Sequence, residues 1–176
     1  MDIKFRKLIE LGAGKFEHLD SDLITHLEST RCLLKEWNAD LALQQAGFYY
    51  AAYLENELNN SQIETDLRTS VKEIVGSEVE NIIYYFSIWD KTHSFKQQLA
   101  TGDFVFYNKN SGKAESIPHF ALCQLCELFV AIELDSVFEG ANYASIDKSL
   151  ANDFLFTLQP FLSVPANRKL KLAKSY

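Results

Sequence analysis

From His18 to Tyr53 the chain reads HLDSDLITHLESTRCLLKEWNADLALQQAGFYYAAY. This stretch constrains the fold most, because it carries two apolar stripes at helical period separated by one short break. Leu23, Leu27, Thr30, Leu33, Leu34 and Trp37 recur on one face, with Thr25, Glu28, Ser29, Arg31, Lys35 and Glu36 opposite. A helix capped by Asp20 or Ser21 accounts for both sets. Asn38 closes it, and Asp40 opens a second helix carrying Leu43, Ala46, Gly47, Tyr50 and Leu54. Glycine costs about 1 kcal/mol relative to alanine inside a helix, so Gly47 predicts close approach of another helix or a ligand.

Two residue types in this pair point beyond packing. His26 falls inside the apolar arc, where an imidazole needs a hydrogen-bond partner or a metal. His18 lies near the same side if the helix extends back to Leu19. Tyr49, Tyr50 and Tyr53 crowd the second helix, and a buried phenol needs a partner for its hydroxyl. These tyrosines suit a helix–helix contact as well as a pocket.

The remaining chain continues in helices. Only 7 Gly and 3 Pro occur in 176 residues, so breaks are few. A short helix spans Ile3 to Leu11 and stops at Gly12 and Gly14. The GAGK string there lacks the spacing of a phosphate-binding loop. Ser61-x-x-Glu64 and Ser77-x-x-Glu80 have the form of capping boxes. The helix after Ser77 holds Val79, Ile82, Ile83, Phe86, Ile88 and Trp89 and is expected to be the most buried. Trp89 and Asp90 lie at its end, where they could face a pocket. Residues 91–118 change character, with a small hairpin or extended lid expected near 103–117 around Phe104–Tyr107 and the turn Asn108–Lys113. Pro118 begins a further helix. Its apolar stripe includes Glu133, a carboxylate that could pair with His26 or His18 or accept from a tyrosine; Asp135 falls on the more polar side. Cys123 and Cys126 sit in that helix and are expected to be reduced and packed. The last helix runs from about Ser145 to Leu162.

The pattern H-x7-H-L-x2-T-x2-L-L-x2-W resembles that of an all-helical family, domain of unknown function 6817. Here it falls on His18, His26, Leu27, Thr30, Leu33, Leu34 and Trp37. Ala46, Gly47 and Tyr53 extend the resemblance, as do Val75, Gly76, Glu78, Glu80, Tyr84 and Phe86. That family is in turn similar to the HD-type metal-dependent phosphohydrolases. The resemblance implies a mainly all-α, HD-like bundle of six to seven helices. It also implies a metal-binding histidine where this chain has Tyr50, and the HD aspartate where it has Ala51. Tyrosine, with a reference pKa near 10, is a poor ligand at neutral pH. No cofactor is therefore expected. A divalent metal is disfavoured, and His26 would be a ligand only in a rearranged site.

The expected organisation is a single helical domain over 1–165 and a basic tail over 166–176. Net charge of −7 argues against nucleic acid as the main partner. No run has the length of a membrane span, and the first residues do not read as a signal peptide; a cytoplasmic protein is expected. Three functions stay open. One is a metal-independent small-molecule-binding protein or enzyme of proton-transfer or cyclisation type. It would use His26, Tyr50 and Glu133 for chemistry, with His18, Tyr49, Tyr53, Trp89 and Asp90 lining the pocket. The others are a metal-dependent phosphohydrolase and a non-catalytic module that binds a protein or its own copy.

Overall fold

The computed structural model describes residues 2–14, 21–54, 61–139 and 154–173, without the side chains of 61–64 and 136–139. His18, Asp20 and most of the helix expected from Ser145 lie outside the described residues.

The chain is mainly helical. In order it forms α1 (Ile3–Glu10), α2 (Ser21–Glu36), α3 (Leu41–Tyr49), α4 (Ser61–Val75), α5 (Ser77–Ile88) and α6 (Lys91–Thr101). A two-stranded antiparallel hairpin follows, β1 (Phe106–Asn108) with β2 (Lys113–Glu115), then α7 (His119–Glu139) and α8 (Val164–Ala173). No helix among the described residues is long and apolar enough to cross a membrane.

The helical pair read from the sequence is present. Asp40 caps α3 by accepting from the Leu43 N–H at 2.8 Å. A methyl group on Gly47 would lie 2.7 Å from Leu34 Cδ1 and 3.3 Å from Thr30 Cγ2, so the glycine does set the spacing between α2 and α3. The α-helix is shorter than its apolar stripe suggests. It gives way at Tyr50 to a 3-10 turn that ends at Tyr53. The turn after α1 packs there, with Gly14 (φ +54°) so close that a Cβ would meet the Ala51 and Ala52 backbone.

The most continuous burial is in α7, not only in α5. Every residue from Gln124 to Asp135 is buried, and α7 packs against α2, α3, α5 and α8. A helix apolar on most sides has no wet face, so Asp135 is 6% exposed rather than on a polar side.

Three further expectations are revised. The second capping box does not form: Gly76 occupies the cap position and Glu80 turns inward to Tyr53 and Arg68. Residues 91–101, read as part of an irregular stretch, form α6, capped by Asp90 accepting from His93 N–H. The basic stretch read as a tail carries α8, whose Ala166 and Leu170 are buried, because its apolar residues recur at helical spacing.

The hairpin is pinned to the α5–α6 junction. Asp90 N–H donates to Tyr107 O and Lys109 N–H to Ile88 O, each at 2.8 Å. Trp89 stands at the centre of an aromatic cluster with Phe86, Phe104, Phe106, Phe129 and Phe154. Its indole N–H donates to Ser94 Oγ at 3.0 Å.

Candidate functional site

Close packing of α2 on α3 and α7 brings His26 between two partners. Its Nδ1 lies 2.5 Å from Asp135 Oδ2 and its Nε2 lies 2.7 Å from the Tyr50 hydroxyl. His26 is fully buried and Tyr50 is nearly so. A carboxylate only accepts, so in the neutral ring Nδ1 carries the proton and Nε2 accepts from the phenol. The result is a buried carboxylate–imidazole–phenol chain. Such a chain can draw the phenolic proton toward Nε2 while Asp135 stabilises the imidazolium that forms.

Tyr50 also lines a cavity of about 400 Å³. Phe86, Trp89 and Phe129 form much of its apolar wall; Lys91, Lys109, Asp90 and Glu133 contribute the charged groups. A cavity of this size, mostly apolar with a few convergent polar groups, suits a small organic molecule.

The polar groups differ in how well they are satisfied. On α7, Gln124 donates to Asp40 Oδ2 at 2.9 Å, Glu127 accepts from the Ser163 hydroxyl, and Asp135 accepts from His26. Glu133 is only 4% exposed, yet among the described residues it has no hydrogen bond or salt bridge. Burial pushes its pKa up to about 7, against the opposing pull of Lys91 and His26. Lys91 is half-buried as a residue, but its ammonium is sunk among rings. Nζ lies 4.2 Å from the centroid of Phe86 and 5.3 Å from that of Trp89. Its one hydrogen-bond acceptor among the described residues is Phe86 O, at 3.3 Å. Burial, reinforced by Lys109, pulls the Lys91 pKa down to about 7. Burial lowers that of Lys109 as well.

Of the residues singled out in the sequence, Tyr50, Trp89, Asp90 and Glu133 meet at this cavity, with His26 behind Tyr50. The other two tyrosines are engaged elsewhere. The Tyr49 hydroxyl donates to Asp2, and that of Tyr53 donates to Glu80 Oε1 at 2.9 Å. Both phenols have raised pKa values through burial and their carboxylate partners. His18 lies outside the described residues. The pairing expected between His26 and Glu133 is made by Asp135 instead.

Asp135, Lys91 and Lys109 were missed from sequence. The signal for Asp135 is that from Gln124 to Asp135 its helix has no exposed side. Lys91 lies two residues after Trp89, and Lys109 directly follows β1, which folds back onto Trp89.

The described residues do not fit a divalent ion. No three His, Cys, Asp or Glu side chains among them converge as ligands, and both nitrogens of His26 are engaged.

Residues 7–91 match the family model Domain of unknown function (DUF6817). No curated protein and no solved structure matches the chain.

Proposed function

We propose that this is a metal-independent, small-molecule-binding enzyme of proton-transfer type built on a degenerate HD-like scaffold. The observation that carries the reading is the chain Asp135–His26–Tyr50, whose phenol-bearing end lines the cavity holding Lys91 and Glu133. Tyr50 and Ala51 occupy the positions where the HD-type resemblance implies a histidine and an aspartate. In this reading the phenol, backed by an imidazole, has taken over a place once used for a ligand. Tyr50 acts as the proton donor or acceptor toward the bound molecule. His26 exchanges the proton with it, and Asp135 fixes the ring and its tautomer.

The test is fragment binding to protein freed of metal by chelation, followed through the His26 ring and Trp89 indole NMR signals. Neutral aromatic alcohols and ketones are the probe set. Saturable shifts in both signals, altered in Tyr50→Phe, are expected. A cavity that takes none of these probes, or takes them only after a divalent ion is added, would overturn the reading.

One observation favours a second function, a protein-interaction module. Leu41 and Phe120 are 68% and 67% exposed, and they border a groove of about 650 Å³ between α3, α5 and α7. Loss of self-association or partner binding on Phe120→Ser, with ligand binding unchanged, would favour it.

A further inference from the structure

Lys91 and Glu133 have chemistry that proton transfer through Tyr50 does not use. An ammonium has three N–H groups to place. Among the described residues Lys91 has one acceptor, the Phe86 carbonyl, and no carboxylate within salt-bridge distance. Lys109, in the same cavity, repels a charge at Nζ, while Asp90 and Glu133 act in the opposite sense. Glu133 is a buried residue on the cavity wall whose carboxyl group makes no hydrogen bond among the described residues. An amine beside a second cation in an apolar pocket is the arrangement that activates a lysine as a nucleophile.

We propose that Lys91 is an imine-forming amine and that the cavity takes a small aldehyde or ketone, with Glu133 as the acid that expels water. This deepens the small-molecule reading above and rests on it. The Nζ lone pair attacks the carbonyl carbon, forming the C–N bond while the π electrons move to oxygen. One N–H proton passes to that oxygen and gives the carbinolamine. Glu133, protonated, delivers its proton to the hydroxyl. Water leaves as the nitrogen lone pair forms C=N, and the carboxylate recovers the second N–H proton. The sum is amine plus carbonyl giving imine plus water, with Glu133 returned to its starting state. A pKa lowered to about 7 leaves a substantial fraction of Lys91 neutral at neutral pH, as the attack requires. The aromatic walls formed by Phe86, Trp89 and Phe129 suit an aryl or short-chain carbonyl compound.

The experiment traps the imine. Full-length protein is treated with benzaldehyde and cyanoborohydride near neutral pH, and the benzylated lysines are mapped by mass spectrometry. Ordinary lysines, with pKa about 10.4, are almost wholly protonated there. Lys91 is expected to react about tenfold or more faster than any lysine outside the cavity. The terminal amine, with pKa about 8, maps to a separate peptide. Glu133→Gln is expected to slow modification at Lys91 several-fold. Lys91→Arg removes the site while keeping a cation in place. Benzyl alcohol, which has the same ring but cannot form an imine, reports occupancy through the fluorescence of Trp89 in a Trp37→Phe background. Benzylation spread over the exposed lysines overturns the proposal. If benzyl alcohol still gives saturable quenching in that case, the pocket reading stands and only the imine falls. If it gives none, both fall.

Discussion

Two buried carboxylates of this fold are linked to a tyrosine, Glu80 directly and Asp135 through an imidazole, and they are finished in opposite ways. Glu80 is closed. It accepts from the Tyr53 hydroxyl, and Arg68 grips it with Nε on Oε1 at 2.7 Å and Nη2 on Oε2 at 3.1 Å. The guanidinium in turn lies over the Tyr84 ring, 3.5 Å from its centroid. Asp135 is relayed. It holds an imidazole, the imidazole holds Tyr50, and Tyr50 borders a cavity with the Glu133 carboxyl group and the Lys91 amine. A fork-shaped cation that can neither lose its proton nor turn away fixes structure. An imidazole can pass a proton on. A buried acid alone does not mark a site; its partner and what lies beyond that partner decide.

The largest effect is expected from opening the closed side. Arg68→Met leaves Glu80 buried with only the Tyr53 hydroxyl, and a buried charge stripped of its partner costs about 3–5 kcal/mol. Arg68 is partly solvated, so the lower end is expected, read from urea unfolding. Arg68→Met with Glu80→Leu should recover most of the loss. If the single variant unfolds like the parent, the Glu80 cluster is not the structural clamp described here.

The cavity should instead reveal itself through pH. Glu133 has its folded pKa raised to about 7 from an ordinary 4.5. Between those values the unfolded chain gives up the proton while the native state keeps it, so stability falls as pH rises from 4.5 toward 7. Lys91 has its folded pKa lowered to about 7 from 10.5. Between 7 and 10.5 the unfolded chain holds the extra proton, so stability rises with pH. Together they predict a shallow minimum near neutrality, its acid limb worth about 3 kcal/mol at most. The double variant Lys91→Met/Glu133→Gln should flatten it. A minimum that persists in that variant would mean that other groups produce it.

The helical frame was legible in the sequence because its signals are local: the cap at Asp40, the stripe Leu23–Trp37 and the glycine at 47. The site was legible only in part. His26 and Tyr50 stand out because a polar group on an apolar stripe is conspicuous. Asp135 does not, since a helix buried on all sides gives no periodicity by which to place it. Lys91 was lost for a different reason: α6 begins immediately after Asp90, and only the folded chain shows the hairpin turning back to place Lys109 in the same cavity. Glu80 misled, because a serine and a glutamate at capping spacing look the same whether the glutamate caps or turns inward.

A smaller effect separates the two tyrosines. Tyr50→Phe removes the donor to His26 Nε2 inside the core and should cost about 1–2 kcal/mol. It should also move the His26 ring signals in NMR. Tyr53→Phe leaves Glu80 in the bidentate grip of Arg68, so it should cost about 1 kcal/mol or less and leave His26 unmoved. Equal responses from the His26 ring would show that the two clusters act as one network.

The smallest expected effect tests what holds the relay in register. Gly47→Ala gains about 1 kcal/mol of helix propensity, but the new methyl group meets Leu34 Cδ1 at 2.7 Å and Thr30 Cγ2 at 3.3 Å. The leucine end can rotate; the threonine lies one turn from His26 on the same face. The two effects oppose, and a net loss of about 1 kcal/mol is expected, since overpacking costs about 1–3 kcal/mol. The consequence for the relay should exceed that for stability. Pushing α2 from α3 lengthens the His26–Tyr50 bond directly, while Tyr53 and Glu80, held between the 3-10 turn and α5, keep their geometry. The expected readout is a shift of the His26 ring signals with the Tyr53 signals unchanged. If Gly47→Ala leaves the His26 ring untouched, the closeness of the two helices serves packing alone, and the alignment of Tyr50 must come from α7.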